Sequence, residues 1–141
     1  MIMNEWWKQY LGKPWEAVPN PPHSYTCGEL LRAVHLEMFG IETAPILADA
    51  LDLRDCIMAM KGERYGLRPL DTDEKPREFD SVFMARVKYV DHVGIGVQTT
   101  DGLLVLHCLR GAGVVLESPG ELRGRGFRRL DWFRHQELPY A

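Results

Sequence analysis

An α+β fold is what this sequence predicts, and three observations predict it. Apolar residues recur at helical spacing up to about residue 61. From residue 79 onward they alternate at period two. Turn signals then punctuate the second half at short intervals. Helices first and antiparallel strands after is the layout of a sheet with its helices gathered on one side. The 141 residues read as a single domain, 1–141, with no repeat, no low-complexity segment and no linker. A domain of this size buries roughly 70% of the surface its unfolded chain exposes. It therefore needs neither a disulfide nor a metal to fold.

The elements follow in order. Trp6, Trp7, Tyr10 and Leu11 fall on one face of a short helix. Lys13 to Pro22 holds four prolines, which makes it extended. In Ser24-Tyr25-Thr26-Cys27-Gly28-Glu29, either Ser24 or Thr26 serves as a helix cap, and Glu29 stands where a capping box needs it. Leu30, Leu31, Val34 and Met38 continue that helix, and Gly40 ends it. Pro45 begins a second helix running to about Lys61, with Ile46, Leu47, Ala50, Leu53, Ile57 and Met60 as its apolar stripe. The polar stretch from Gly62 to Glu78 is a long loop. About five strands come next, at 79–85, 92–98, 103–108, 113–117 and 126–133. Asp101-Gly102 and Ser118-Pro119-Gly120 are the clearest turns between them.

Composition excludes several roles. A net charge of −3 does not suit a nucleic-acid protein. Three cysteines with no CxxC pair argue against a disulfide framework and a structural zinc site. Free thiols fit synthesis in a reducing compartment, the cytoplasm. The start, Met1 to Trp7, has no basic head and no apolar run, so no signal peptide is expected. No stretch approaches the ~20 apolar residues of a membrane helix.

The chemistry-bearing residues are Cys27, His92 and His107. A thiol at a helix N-terminus is favoured as thiolate by the helix dipole and the unpaired N–H groups there. A strand histidine can take its proton, and a second polar group can hold that ring. In His92-Val93-Gly94-Ile95-Gly96-Val97 the valines and isoleucine face a core, while His92 shares its side with two glycines. The bland alternative is a structural histidine beside a turn. The two histidines are 15 residues apart. A two-residue turn at Asp101-Gly102 would leave their rings roughly 13 Å apart along the strand. A four-residue loop at 98–101 or 99–102 sets them opposite or diagonal, so catalysis requires the longer loop. Cys56 and Cys108 read as small core residues. His23 is placed to line a cleft, whereas His35 and His135 read as solvated. Arg123, Arg125, Arg128, Arg129 and Arg134 read as a solvated strand face, or else as a patch for an acidic partner. Zinc on Cys27, His92 and His107 is a further alternative.

These segments resemble the NlpC-type superfamily of papain-like cysteine peptidases, in the branch found in phage and prophage tail proteins. Thr26-Cys27-Gly28-Glu29-Leu30-Leu31, the His92 strand, Leu106-His107-Cys108 and Phe79-Asp80-Ser81-Val82-Phe83-Met84 carry the resemblance. So do Gly12-Lys13-Pro14-Trp15, Phe39-Gly40-Ile41, Gly113 to Ser118 and Gly126-Phe127-Arg128. The resemblance implies a papain-like fold, with Cys27 as nucleophile, His92 as base and His107 as the residue that orients it. It implies hydrolysis of peptidoglycan stem peptides, without a cofactor or a metal, by a protein made in the cytoplasm and carried in a tail. Tyr25, Thr26, Gly28 and His23 then line the substrate site, with the Cys27 N–H and Tyr25 as oxyanion donors. Thr26 and Gly28 stand where the family has an acid before the cysteine and Ser or Trp after it. The rival reading is a tail-assembly module with the same fold and little turnover, favoured by those losses and by aromatics expected at the N-terminal surface. A third is an acyltransferase or amidase using the same residues.

Overall fold

Thr26 decides where the main helix begins. In the computed structural model, which describes residues 5–46, 60 and 65–140, its backbone is extended and its hydroxyl accepts the Glu29 N–H at 3.3 Å. Helix α1 (Cys27–Phe39) follows, with Cys27 as its first residue. The box expected here is half made, because the Glu29 carboxylate turns to Arg32 instead of back to the cap. Gly40 ends the helix at φ 68°, in the left-handed region that suits glycine. Among the described residues ahead of α1, the one helical element is a 3₁₀ turn, Trp6–Gln9. The second expected helix lies almost wholly outside the described residues, and Pro45 and Ile46, at its start, are in irregular backbone.

The sheet is antiparallel and six-stranded: β1 (Leu67–Pro69), β2 (Ser81–Ala85), β3 (Val90–Thr99), β4 (Gly102–Leu109), β5 (Gly113–Glu117) and β6 (Arg129–His135). Their order is β1-β6-β2-β3-β4-β5. β1 is the strand beyond the five expected, set in the segment read as a loop. It pairs with residues 133–135 of β6 over three positions, too few for period two to show in a sequence. β2 and β6 each start two or three residues later than expected. Phe79 takes a positive φ of 72° in the turn before β2. Gly126, at φ 98°, frees Phe127 to leave the strand and fold over the sheet.

Alternation gives the sheet two distinct faces. On the helix face, Phe83, Val93, Ile95, Val97, Leu106, Cys108 and Val114 pack under Leu30, Leu31 and Val34 of α1. On the far face, Val82, Met84, Val105 and Leu109 pack under Leu122 and Phe127. Leu122 belongs to α2 (Pro119–Gly124), which stands where only a turn was expected. Its signature is Ser118-Pro119-Gly120-Glu121: Ser118 and Glu121 cap each other reciprocally, and proline occupies the first turn.

Two further features hold the frame. Arg134 was expected on a solvated face, but it is buried, and its guanidinium donates to both oxygens of Asp80 at 2.8 Å and to Glu74 at 3.1 Å. Burial of a guanidinium requires such pairing. The β5 edge is covered by the N-terminal segment: Gly12 N–H donates to Val114 O, and Val114 N–H to Lys13 O. Gly113 is needed for this, since a Cβ there would lie 2.5 Å from the Lys13 carbonyl oxygen. Among the described residues no helix is long and apolar enough to cross a membrane.

Candidate active site

The β3–β4 hairpin brings the two histidines together. Thr99 pairs with Gly102, so the turn is Thr100-Asp101, one residue earlier than expected. Ile95 pairs with Leu106, which sets His107 opposite Gly94 and diagonal to His92. The longer loop is therefore not required, because moving the two-residue turn back by one gives the same diagonal register. The β2–β3 register sets His92 opposite Met84, on the far face, just before a bulge at Ala85. Gly94 has no room for a side chain: a Cβ there would meet Val105 Cγ1 at 2.6 Å and His107 Cβ at 3.2 Å.

A continuous line of hydrogen bonds results. His92 Nε2 and His107 Nδ1 are 2.8 Å apart, and His107 Nε2 is 2.7 Å from Glu117 Oε1. Arg125 Nε donates to both Glu117 oxygens, at 2.7 and 2.8 Å. Glu117 reaches His107 because β5 pairs His107 with Val115, two residues away on the same face. Its role was missed in the sequence. Period-two counting along β5 does put it on the histidine face, but only the β4–β5 register shows which histidine it meets.

The proton positions follow from this line. A carboxylate held by a guanidinium only accepts, so His107 donates from Nε2 and its Nδ1 carries a lone pair. His92 must then donate from Nε2, which leaves Nδ1 as its basic nitrogen. Burial lowers the pKa of both rings, so both are neutral near pH 7. For His92 the neighbouring His107 and Arg86 push the same way, whereas for His107 the bond to Glu117 opposes the shift. His92 also stacks on Phe127, with centroids 5.1 Å apart and planes at 11°. The Arg86 guanidinium lies 4.2 Å from the centroid of that same ring.

Cys27 stands elsewhere. It is half-buried and packs against the helix-face core, together with Tyr25 and Cys108. The Cys108 thiol donates to the Tyr25 carbonyl at 3.4 Å. Burial first, and the nearby Cys27 second, push the Cys108 pKa up to about 12. The sequence led us to expect the Cys27 sulfur to face His92. Cys27 packs instead with the helix-face core, whereas His92 lies on the far face, opposite Met84 and stacked on Phe127. The zinc alternative fails with that separation, and among the described residues no cluster of three or more metal-ligating side chains is found.

The expected substrate-lining residues are mostly committed to the fold. Tyr25 is buried, edge-on to Tyr10 at 6.1 Å, so its phenol is not presented as an oxyanion donor. Thr26 caps α1, and Gly28 packs against Ile46. His23 is exposed just before α1. His35 and His135, expected in solvent, are buried with their rings 5.3 Å apart. They tie α1 to β6, and burial lowers the His35 pKa to about 4. Cys56 lies outside the described residues. Set against known proteins, the chain matches no family model and no curated protein sequence.

Proposed function

We propose that this domain is a cysteine hydrolase of the NlpC, papain-like type, with a peptidoglycan stem peptide as its substrate. The observation that carries the reading is the line Glu117–His107–His92. It supplies what a thiol hydrolase needs from its base: a neutral imidazole, fixed in rotation, with one nitrogen committed to an orienting partner and the other basic. Cys27 is the nucleophile in this reading, through the motif resemblance and its place at the first residue of α1. Turnover in this reading requires the Cys27 thiol within reach of His92 Nδ1. The thiolate attacks the scissile carbonyl, and the His92 imidazolium returns the proton to the leaving amine.

The separation of thiol and base also favours a second reading, an assembly module of a phage tail that keeps the fold with little turnover. The aromatics invoked for that role do not support it, because Trp6 and Tyr10 are buried and Trp7 is half-buried.

Release of stem-peptide fragments from purified peptidoglycan separates the two readings. For the hydrolase, Cys27→Ala and His92→Ala each abolish release, and His107→Gln, which can still accept from His92, reduces it less. Turnover in the Cys27→Ala variant equal to the parent's overturns the hydrolase reading. Absence of turnover in the parent leaves the assembly module.

A further inference from the structure

The hairpin between β2 and β3 ends in Arg86-Val87-Lys88-Tyr89. Val87 is 93% exposed and Tyr89 is 57% exposed. Single exposed apolar side chains are ordinary, but two large ones at one hairpin tip form a candidate contact surface. Their surroundings are cationic. Arg86 lies over Phe127, and its contact with Asp91 is long, at 3.5 Å. Lys88 Nζ sits 5.3 Å from the Tyr89 ring centroid. The start of β6 is drawn against the same tip: Arg129 Nη1 donates to the Lys88 carbonyl at 3.3 Å, and Arg128 N–H donates to Ala85 O at 3.0 Å. The Arg128 side chain is exposed. Arg129 is exposed and pairs with a half-buried Asp131 at 3.2 Å.

Arg86, Lys88 and Arg129 thus lie at the hairpin tip with two exposed apolar side chains, and Arg128 follows alongside, on a chain whose net charge is −3. Such a local excess attracts an anionic partner and turns away a cationic one. The apolar apex decides which anion. Val87 and Tyr89 offer a phosphate chain no polar partner, whereas they can pack the apolar side chains of a peptide. A peptide that alternates carboxylates with apolar side chains satisfies both parts of the surface. We propose that the β2–β3 tip is a docking surface for an acidic, leucine-type segment of a partner protein. The surface needs neither Cys27 nor turnover, so it stands or falls separately from the hydrolase reading.

Fluorescence anisotropy tests it with a fluorescein-labelled peptide of four Glu-Leu repeats. A matched Lys-Leu peptide and a single-stranded oligothymidylate of equal charge serve as comparisons. The Glu-Leu peptide should bind saturably, more weakly as salt rises. Lys88→Glu with Arg129→Glu should weaken it about tenfold or more. Val87→Ser should weaken it about threefold. All three positions are on the surface, so an unchanged circular dichroism melt confirms an intact fold. Absence of saturable binding overturns the proposal, and so does equal binding of the Lys-Leu peptide. Indifference to both the charge and the Val87 variants overturns it as well. Tighter binding of the oligothymidylate with the same dependence on Lys88 and Arg129 assigns the patch to nucleic acid and overturns the peptide reading.

Discussion

The two faces of the sheet solve the same packing problem with different chemistry. The helix face is covered by α1 and is apolar across its centre, with Val93, Ile95, Val97 and Leu106 under leucines and a valine. The far face is covered by α2 and Phe127, and a polar line, His92–His107–Glu117–Arg125, runs through it. An apolar face tolerates small shifts of its side chains. A buried polar line does not, since each member satisfies the next and a lost partner leaves an uncompensated group. The far face is thus the one built to hold a geometry, and the helix face the one built to hold the fold.

Neighbouring residues test that division. Ile95 points to the helix face, and Ile95→Ala should cost about 2–5 kcal/mol in urea unfolding while the histidine pair stays bonded. Gly94 points to the far face, and Gly94→Ala should cost about 1–3 kcal/mol by overpacking. The second variant should also separate the rings, seen as altered imidazole resonances in NMR. Intact histidine resonances in Gly94→Ala would show that the close approach of Val105 and His107 to that backbone is not what sets the pair.

The pH dependence of stability compares the faces next. Each buried histidine has its pKa lowered in the folded state, so the unfolded chain binds more protons below about 6.5. Stability is then fully present above that pH and falls as pH drops through the window. For His35, on the helix face, the window runs down to about 4. A shift of that size corresponds to about 3 kcal/mol. His35→Gln should flatten the fall in urea midpoint between pH 7 and pH 5. If the fall persists in His35→Gln with His135→Gln as well, His92 and His107 carry it, and the far face is the acid-sensitive one.

Thiol chemistry gives a smaller effect on the helix face alone. Burial holds Cys108 as a thiol, so iodoacetamide at pH 8 should modify Cys27 about tenfold faster or more. Peptide mass spectrometry assigns the sites. Equal rates would mean that the core around Cys108 opens as readily as the first turn of α1.

The smallest expected effect concerns the substrate amine. Thr26 is spent on the cap, and Glu29 is bound at both oxygens by Arg32. Neither is a spare anion. Free-amine and N-acetylated stem peptides should have kcat/KM values within about tenfold of each other, since a charged hydrogen bond contributes roughly 1.5–3 kcal/mol. A larger preference would identify another carboxylate, and Asp91, beside His92, would be the first to replace.

What could be read in the sequence was whatever depends on neighbours along the chain. The cap at Thr26, the end at Gly40 and the alternation through β3 and β4 all follow from local rules. What could not be read depends on which element lies across. His35 and His135 look like surface residues singly and are buried only because α1 crosses β6. Arg134 looks like one of five similar arginines, and Asp80 and Glu74 across from it make it different. The histidine pairing needed one residue of turn register, and the thiol's face needed the side on which α1 packs. Neither leaves a local trace. The capping box of α2 was the exception, a local signal present in Ser118 to Glu121 and read only as a turn.

The strap over β5 has a consequence for how this protein behaves in a crowd. A bare edge strand is a template on which another chain can add a strand, and then another. Lys13 and Gly12 occupy that template at Val114, so the molecule supplies its own terminating strand. Releasing only the two backbone bonds at Val114 would leave the ladders between the six strands as they are. It would leave Val114 open to the backbone of another chain, so Gly12 and Lys13 act as a guard on that edge.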